Sequence, residues 1–349
     1  MSDTVFVSGA SGFVGSELVP QLLRGGYRVR GLARSERTAS AIARLGAEPA
    51  AGDLANIDAL TRAMAGCGLV ILAAARLRAG GSFDAHVRDN VTGTEHMLSA
   101  ARRAGVHRFV MVGASMCLLG SRPVIDADES WPLGEPRYSS YVRTKTLADR
   151  MVLQADRPGF ATCVVRPGWV WGPGDPQTTA IVDAARKGRM RLIDGGRHPI
   201  VTSHIDNTVQ GIVMTLQRGA GGQAYYVFDD GVISIRDFIA SLLEANRLPA
   251  PTKSTSRRMA WILGSLMERS WAILRRPGEP PVSRLMAALN GGPFIVSDAK
   301  ARRELGYSPV ITRDEALVRL AAPSEKVIAA TDLNEAAHPR QGSNLRPTA

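Results

Sequence analysis

The order of apolar and polar residues predicts an α/β protein: a doubly wound parallel sheet with a smaller, mostly helical C-terminal region. Three observations predict it. Short apolar runs, suited to strands buried on both faces, alternate with helical periodicity through the first half of the chain. The first run leads directly into a glycine-rich turn that opens a helix. After Pro167 the alternation loosens.

In chain order, Val5–Val7 is the first strand candidate and Phe13–Arg24 the helix behind it. Pro20 is expected to bend or shorten that helix, because proline lacks a backbone donor. Tyr27–Leu32 follows as a strand and Thr38–Leu45 as a helix. After a further short strand come the helix Ile57–Met64, the strand Leu69–Ala73, the helix Val87–Ala104 and the strand Arg108–Val112. Tyr141–Gln154 is helical in pattern and Cys163–Val165 strand-like. His204–Leu216 and Tyr225–Phe228 read as a return to the sheet. The expected organisation is therefore 1–167 with 198–230 as one unit, 168–197 and 231–322 as a second, and a polar, aperiodic, disordered tail over 323–349. No internal repeat is visible.

Composition narrows the function classes. With 349 residues and 45% apolar content, the chain has enough material for a large core. Its three cysteines, Cys67, Cys117 and Cys163, are widely spaced, which excludes a disulfide scaffold and a structural zinc site and suits a reducing, cytoplasmic compartment. Strand-like sequence from Thr4 leaves no room for a signal peptide, and no apolar run reaches the roughly 20 residues of a membrane span. The net charge is +11, and only five of the 43 basic residues are lysine. The arginines are scattered, without a helix-turn-helix or zinc-knuckle pattern and with few aromatics, so nucleic acid is not an expected partner. His86, His96, His107, His198, His204 and His338 form no metal-ligand spacing, and no metal is expected.

The first strand runs into Gly9-Ala10-Ser11-Gly12-Phe13-Val14-Gly15. Glycines at this GxxGxxG spacing allow a tight turn, close approach of a pyrophosphate and close packing of helix on strand, while the helix offers free N–H groups to the phosphates. Placed after the first strand and at the start of a helix, this turn is expected to be the dinucleotide site of a Rossmann-type sheet, with 1–167 and 198–230 expected as the cofactor-binding unit. Users of NAD place an acid at the end of the second strand to hold the ribose 2′-OH. Here Ala33 fills that slot and Arg34 follows, with Arg37 near by; a guanidinium fits a 2′-phosphate and favours NADP(H). Asp53 and Leu54, after the next short strand, are placed to meet the adenine.

Tyr141 and Lys145 stand one helical turn apart on one face. A phenol near pKa 10 moves protons poorly at neutral pH, and an adjacent ammonium stabilises its phenolate. In a chain that otherwise prefers arginine, a lysine at this spacing is informative. Ser115, 26 residues before Tyr141 and just past a strand, faces the same crevice and can hydrogen-bond a substrate oxygen. Asn90 is a candidate for holding a water or backbone there, or for simple capping of a helix.

With these motifs the sequence resembles the extended short-chain dehydrogenases/reductases over residues 4–320. The resemblance rests on the glycine turn, Asp53-Leu54, Asn90 to Thr94, Ser115, Tyr141 with Lys145, Arg166-Pro167-Gly168, Gly172 to Asp175, and His204 to Asn207. Pro277 to Pro281 and Leu305 to Pro309 look most like the 3β-hydroxysteroid dehydrogenase branch. The resemblance implies that Tyr141 is the acid/base, Lys145 its ribose-binding activator and Ser115 the substrate-orienting group. It further implies cofactor contacts at Gly9, Ser11, Gly12, Phe13, Val14, Gly15, Arg34, Asp53, Leu54, Ala73, Ala74, Asn90, Tyr141, Lys145, Pro167 and Val170. Two departures are Gly113-Ala114, where members often carry Ser-Ser, and Gly68, where Asp often follows the cysteine.

The expected function is an NADP(H)-dependent interconversion of a carbonyl and a secondary alcohol on a bulky apolar substrate, steroid-like or long-chain keto. A nucleotide-sugar epimerase or dehydratase is the alternative, with Arg186, Arg189, Arg191 or Arg197 lining a diphosphate site. An alternative of another class is a non-catalytic NADP-sensing regulator, against which the retained Tyr141/Lys145 pair argues. Met259–Leu274 reads either as an ordinary buried helix of the substrate region or as an interfacial helix, with Trp261 and Trp271 near its ends and Arg257-Arg258 and Arg275-Arg276 outside them. Reversible contact with a membrane surface through 257–276, and a homodimeric state, are the partner expectations beyond the substrate.

Overall fold

A computed structural model describes residues 4–76, 83–120, 122–274, 276 and 280–321. The tail expected over 323–349 lies outside the described residues, as do Arg275 and residues 277–279.

Seven parallel strands form the main sheet, in the order Gln223–Val227, Ala161–Pro167, Arg108–Val112, Leu69–Leu72, Thr4–Ser8, Arg28–Ala33, Glu48–Ala51. The chain starts at Thr4–Ser8 and winds outward first to one side and then to the other. The direction reverses between Thr4–Ser8 and Leu69–Leu72, which opens a crevice at the carboxyl ends of these strands. Strand alternation explains the two cores. Val5 and Val7 point to one face, where Leu18, Leu22, Ile42, Ile205, Val209 and Ile212 cover them. Phe6 points to the other, against Leu60, Met64, Met97, Leu98, Ala148 and Val152. Both faces are dry, as the continuous apolar runs require.

The expected helix Phe13–Arg24 runs its full length with Pro20 inside it, so the proline does not shorten it. The expected Val87–Ala104 helix is composite: Phe83–His86, a π-helical stretch Val87–Thr92, then Gly93–Arg103. A second sheet, not expected from the sequence, joins Ile233–Ser234, Pro199–Ile200, Phe294–Val296 and Val124–Ala127. It contributes to a third core with Trp171, Tyr226, Phe238 and Leu242. The C-terminal region is thus helical with a small mixed sheet inside it.

Arg257–Ile273 is a 17-residue helix started by Ser256, whose hydroxyl accepts from Met259 N at 3.2 Å. The buried-helix expectation fails here. Met259, Ile262, Leu263 and Leu266 are exposed, and only Ala260 and Gly264 are buried. Among the described residues no helix is long and apolar enough to cross a membrane.

Candidate active site

The glycine turn sits at the switch point. Gly9 has φ +74°, a conformation that side chains rarely adopt, and a Cβ there would lie 2.7 Å from Ala74 N. The loop after Thr4–Ser8 therefore touches the loop after Leu69–Leu72, and Ala73 and Ala74 line the contact; Ala73 N donates to Ser8 O at 3.2 Å. A Cβ on Gly15 would overlap the Gly9 carbonyl. Gly12 N donates to Gly9 O at 3.0 Å and stands as the N-cap of Phe13–Arg24 without a side-chain cap. Most other long helices are capped: Ser139 accepts from Val142 N, Asp175 from Gln177 N and Ser234 from Asp237 N. The Phe13–Arg24 helix also has no acid in its first turn. Exposed Ser11 and Gly12, open N–H groups and a positive dipole end fit a dinucleotide phosphate, with Phe13 and Val14 half-buried behind them.

The rest of the expected cofactor set follows the strand ends. Ala33 closes the second strand, buried and 5% exposed. Arg34 and Arg37 beyond it are exposed and form no ion pair among the described residues. Asp53 is exposed, its carboxylate accepting from Ala55 N at 2.7 Å; Leu54 is half-buried, its carbonyl accepting from His96 Nδ1 at 2.7 Å. Pro167 ends the strand beside Arg108–Val112, and Val170 lies in the short strand Trp169–Trp171, paired with Thr202–His204. Arg186, Arg189, Arg191 and Arg197, the diphosphate candidates, are all exposed.

Ser115, Tyr141 and Lys145 converge at the end of Arg108–Val112. Ser115 opens a one-turn 3₁₀ helix, Ser115–Leu118, which packs against the helix Ser140–Gln154. Ser115 is 4%, Tyr141 6% and Lys145 4% exposed. Lys145 Nζ donates to Val112 O at 2.7 Å, tying it to the strand end and leaving further donor capacity on the ammonium. Neither the Ser115 nor the Tyr141 hydroxyl has a hydrogen-bond partner among the described residues. Burial, and to a lesser degree the Cys117 thiol, raises the Tyr141 phenol; burial lowers the Lys145 ammonium.

Asn90 sits inside the π-helical stretch and does not cap a helix. Its Oδ1 accepts from Arg76 N at 2.7 Å, and its Nδ2 donates to Thr144 Oγ1 at 3.1 Å. It thereby fixes the loop after Leu69–Leu72 against the helix that carries Lys145. A π-helical turn re-aims one side chain without ending the helix, a device frequent at functional sites.

Three features escaped the sequence reading. Cys117 lies beneath the trio, its thiol pushed up to about 11 mainly by burial. Asp149, one turn beyond Lys145, holds Arg166 in a buried two-pronged pair at 2.8 and 2.6 Å, and Arg166 Nη1 donates to the Tyr226 hydroxyl at 3.3 Å. The signal for Asp149 was its i+4 spacing from Lys145. Tyr138 meets Trp261 edge-on, centroids 4.9 Å apart, which joins the residue three before Tyr141 to the exposed helix; nothing in the sequence announced it.

Comparison with known proteins gives this geometry its setting. Residues 6–255 match the model of the 3-beta hydroxysteroid dehydrogenase/isomerase family. The chain is 38% identical over 325 residues to the 4-hydroxy-2-methyl-3-oxo-4-farnesyl-3,4-dihydroquinoline-1-oxide ketoreductase of Stigmatella aurantiaca, covering 91% of this chain and 96% of that one. It is 33% identical to the 2-alkyl-3-oxoalkanoate reductase of Stenotrophomonas maltophilia, covering 92% and 99%. Among solved structures, the dTDP-glucose 4,6-dehydratase of Streptomyces venezuelae, which holds NAD, shares the fold at a TM-score of 0.72 and 22% identity, covering 91% and 95%. The chain belongs to the 3-beta hydroxysteroid dehydrogenase/isomerase family, within the extended short-chain dehydrogenases/reductases, and is an NAD(P)-dependent oxidoreductase.

Proposed function

We propose that this enzyme uses NADP(H) to interconvert a carbonyl and a secondary alcohol on a bulky apolar substrate, steroid-like or a long-chain keto compound. In this proposal residues 1–167 with 198–230 bind the dinucleotide, and 168–197 with 231–322 bind the substrate. The observation that carries it is the pair of buried residues Ser115 and Tyr141, whose hydroxyls keep accessible surface and have no partner among the described residues, at the strand end that holds Lys145. Two accessible hydroxyls with no partner among the described residues are suited to one substrate oxygen. The relatives named above support ketone reduction, since both are named as reductases of oxo compounds.

When bound, NADPH supplies a hydride from its nicotinamide. Tyr141 Oη gives its proton to the carbonyl oxygen, and Ser115 Oγ donates a hydrogen bond to that same oxygen. Lys145, held by Val112 O, stabilises the phenolate that forms and bonds the ribose. Arg34 and Arg37, exposed at the end of the second strand, favour the 2′-phosphate of NADP(H). Under this proposal the enzyme is cytoplasmic and works as a homodimer.

The test is to screen oxidation of NADPH and NADH against steroid ketones, β-keto acids and nucleotide sugars. Reduction of an apolar ketone with NADPH supports the proposal. Conversion of a nucleotide sugar with NAD⁺ retained replaces it with an epimerase or dehydratase, and binding without turnover of any class replaces it with a sensor.

A further inference from the structure

The helix Arg257–Ile273 is built inside out for a core helix. At about 100° per residue, Met259, Ile262, Leu263, Leu266 and Ile273 fall on one arc. They are 49, 45, 40, 57 and 80% exposed, and Met286 on the neighbouring helix Arg284–Asn290 is exposed at 44%. The packed side carries the small residues: Ala260 and Gly264 are buried, and a Cβ on Gly264 would lie 2.7 Å from the Ser283 carbonyl carbon. Glu268, the helix's one acid, turns inward and takes Arg284 N and Nε at 2.7 Å each.

Among the described residues, the charge this helix and Arg276 leave outside is of one sign. Arg257, Arg258, Arg269 and Arg276 are exposed and form no ion pair among the described residues. The helical period sets Arg258 and Arg269 along one edge of the apolar arc. A second copy of this chain packed isologously on the same face would bring arginine against arginine. An anionic lipid surface meets both features at once, with the apolar arc at the acyl boundary and the guanidiniums at the phosphates. On its packed side, Trp261 reaches Tyr138, three residues before Tyr141.

We propose that this face docks reversibly on an anionic bilayer, and that an apolar ketone passes from the bilayer to Tyr141 beside the Tyr138–Trp261 contact. The second clause rests on the ketone-reductase reading; the first does not.

Flotation tests docking, with vesicles of phosphatidylcholine alone and of phosphatidylcholine with phosphatidylglycerol. Wild type is expected to float with the anionic vesicles at low salt and to be released at high salt. Leu263→Glu/Leu266→Glu and, independently, Arg258→Glu/Arg269→Glu are each expected to lose at least about tenfold in partitioning. Circular dichroism and the thermal midpoint establish that each variant is folded. Absence of wild-type flotation, or undiminished flotation of both folded variants, overturns the docking. A dimer in light scattering that Leu263→Glu/Leu266→Glu dissociates overturns it in favour of a second copy. For the route, a vesicle-borne ketone and a short water-soluble ketone are compared. The leucine variant is expected to lose at least about tenfold in kcat/KM for the vesicle-borne ketone alone; equal losses on both overturn the route. Flotation without reduction of either ketone sinks the functional reading and leaves docking standing; reduction without flotation does the reverse.

Discussion

Most buried hydroxyls among the described residues have partners: Thr94 donates to Asn90 O at 2.7 Å, Thr146 to Gly134 O at 2.8 Å and Ser203 to Val227 O at 2.7 Å. Ser115 and Tyr141 have no such partner among the described residues, and their hydroxyl oxygens are not among the fully buried atoms, so both keep access to solvent or a ligand. Thr208 and Thr215 also lack partners, but their hydroxyls are fully buried inside the helix Ile205–Arg218 rather than accessible at a strand end. The contrast makes Tyr141→Phe the sharpest test: the ring stays and the proton donor goes. Turnover is expected to fall by about 10²–10⁴-fold with NADPH affinity kept, and Ser115→Ala by about 10²–10³-fold. Steady-state rates near wild type for Tyr141→Phe would remove it from the chemistry. Arg34 is tested through the cofactor. Under the NADP(H) proposal a contact with the 2′-phosphate would be worth about 1.5–3 kcal/mol, so Arg34→Ala should weaken NADPH tenfold or more and leave NADH unchanged in fluorescence titration. An equal effect on both cofactors would mean that Arg34 does not read the phosphate.

Elements were legible where their periodicity and their burial agree. Val5 and Val7 alternate with Phe6 between two dry faces, and the glycine turn could be placed because it follows that strand. Glu48–Ala51 gave a weak signal because an edge strand with a proline and mostly exposed side chains needs no apolar pattern. Val124–Ala127 and Pro199–Ile200 are held by partners distant in sequence, which no local window contains. In Arg257–Ile273 the period revealed an apolar face but not what covers it. The candidate site was legible where spacing is local, as for Tyr141 and Lys145 on one helix face, and illegible where it is tertiary, as for Asn90 on Thr144. Asp149 lies between these cases. It continues the Lys145 face and buries a charge against Arg166, with side-chain exposures of 0% and 3%. Removing one partner of such a pair typically costs about 3–5 kcal/mol, because the other charge stays buried alone. Asp149→Ala should therefore lower the thermal midpoint by at least about 5 °C in scanning calorimetry. A change within about a degree would show that Arg166 finds another partner or reaches water.

Across the whole molecule, burial of ionisable groups sets how stability responds to alkali. All three cysteines are free, and burial raises each thiol, Cys117 and Cys163 to about 11 from an ordinary value near 9. The sign follows from proton counting. Between about 9 and 11 the unfolded chain has released thiol protons that the folded chain still holds, so stability falls as pH rises through that window. The contribution is whole below 9 and gone above 11. Holding a proton to about 11 rather than 9 is worth at most about 2.7 kcal/mol for each of these two thiols. Burial also raises the Tyr141, Tyr226 and Tyr307 phenols, which extends the loss to higher pH. Lys145 works the other way: its folded pKa is lowered, so the unfolded chain binds more protons there and stability gains as pH rises toward the ordinary lysine value. One lysine is outweighed by two thiols and three phenols. The thermal midpoint should hold level to about pH 8.5 and fall steadily from 9 to 11. Cys117→Ala/Cys163→Ala should start lower at neutral pH, from the lost packing, and fall less steeply over that window. Equal slopes for wild type and the double variant, measured by scanning fluorimetry in matched buffers, would show that the thiols are not what alkali attacks.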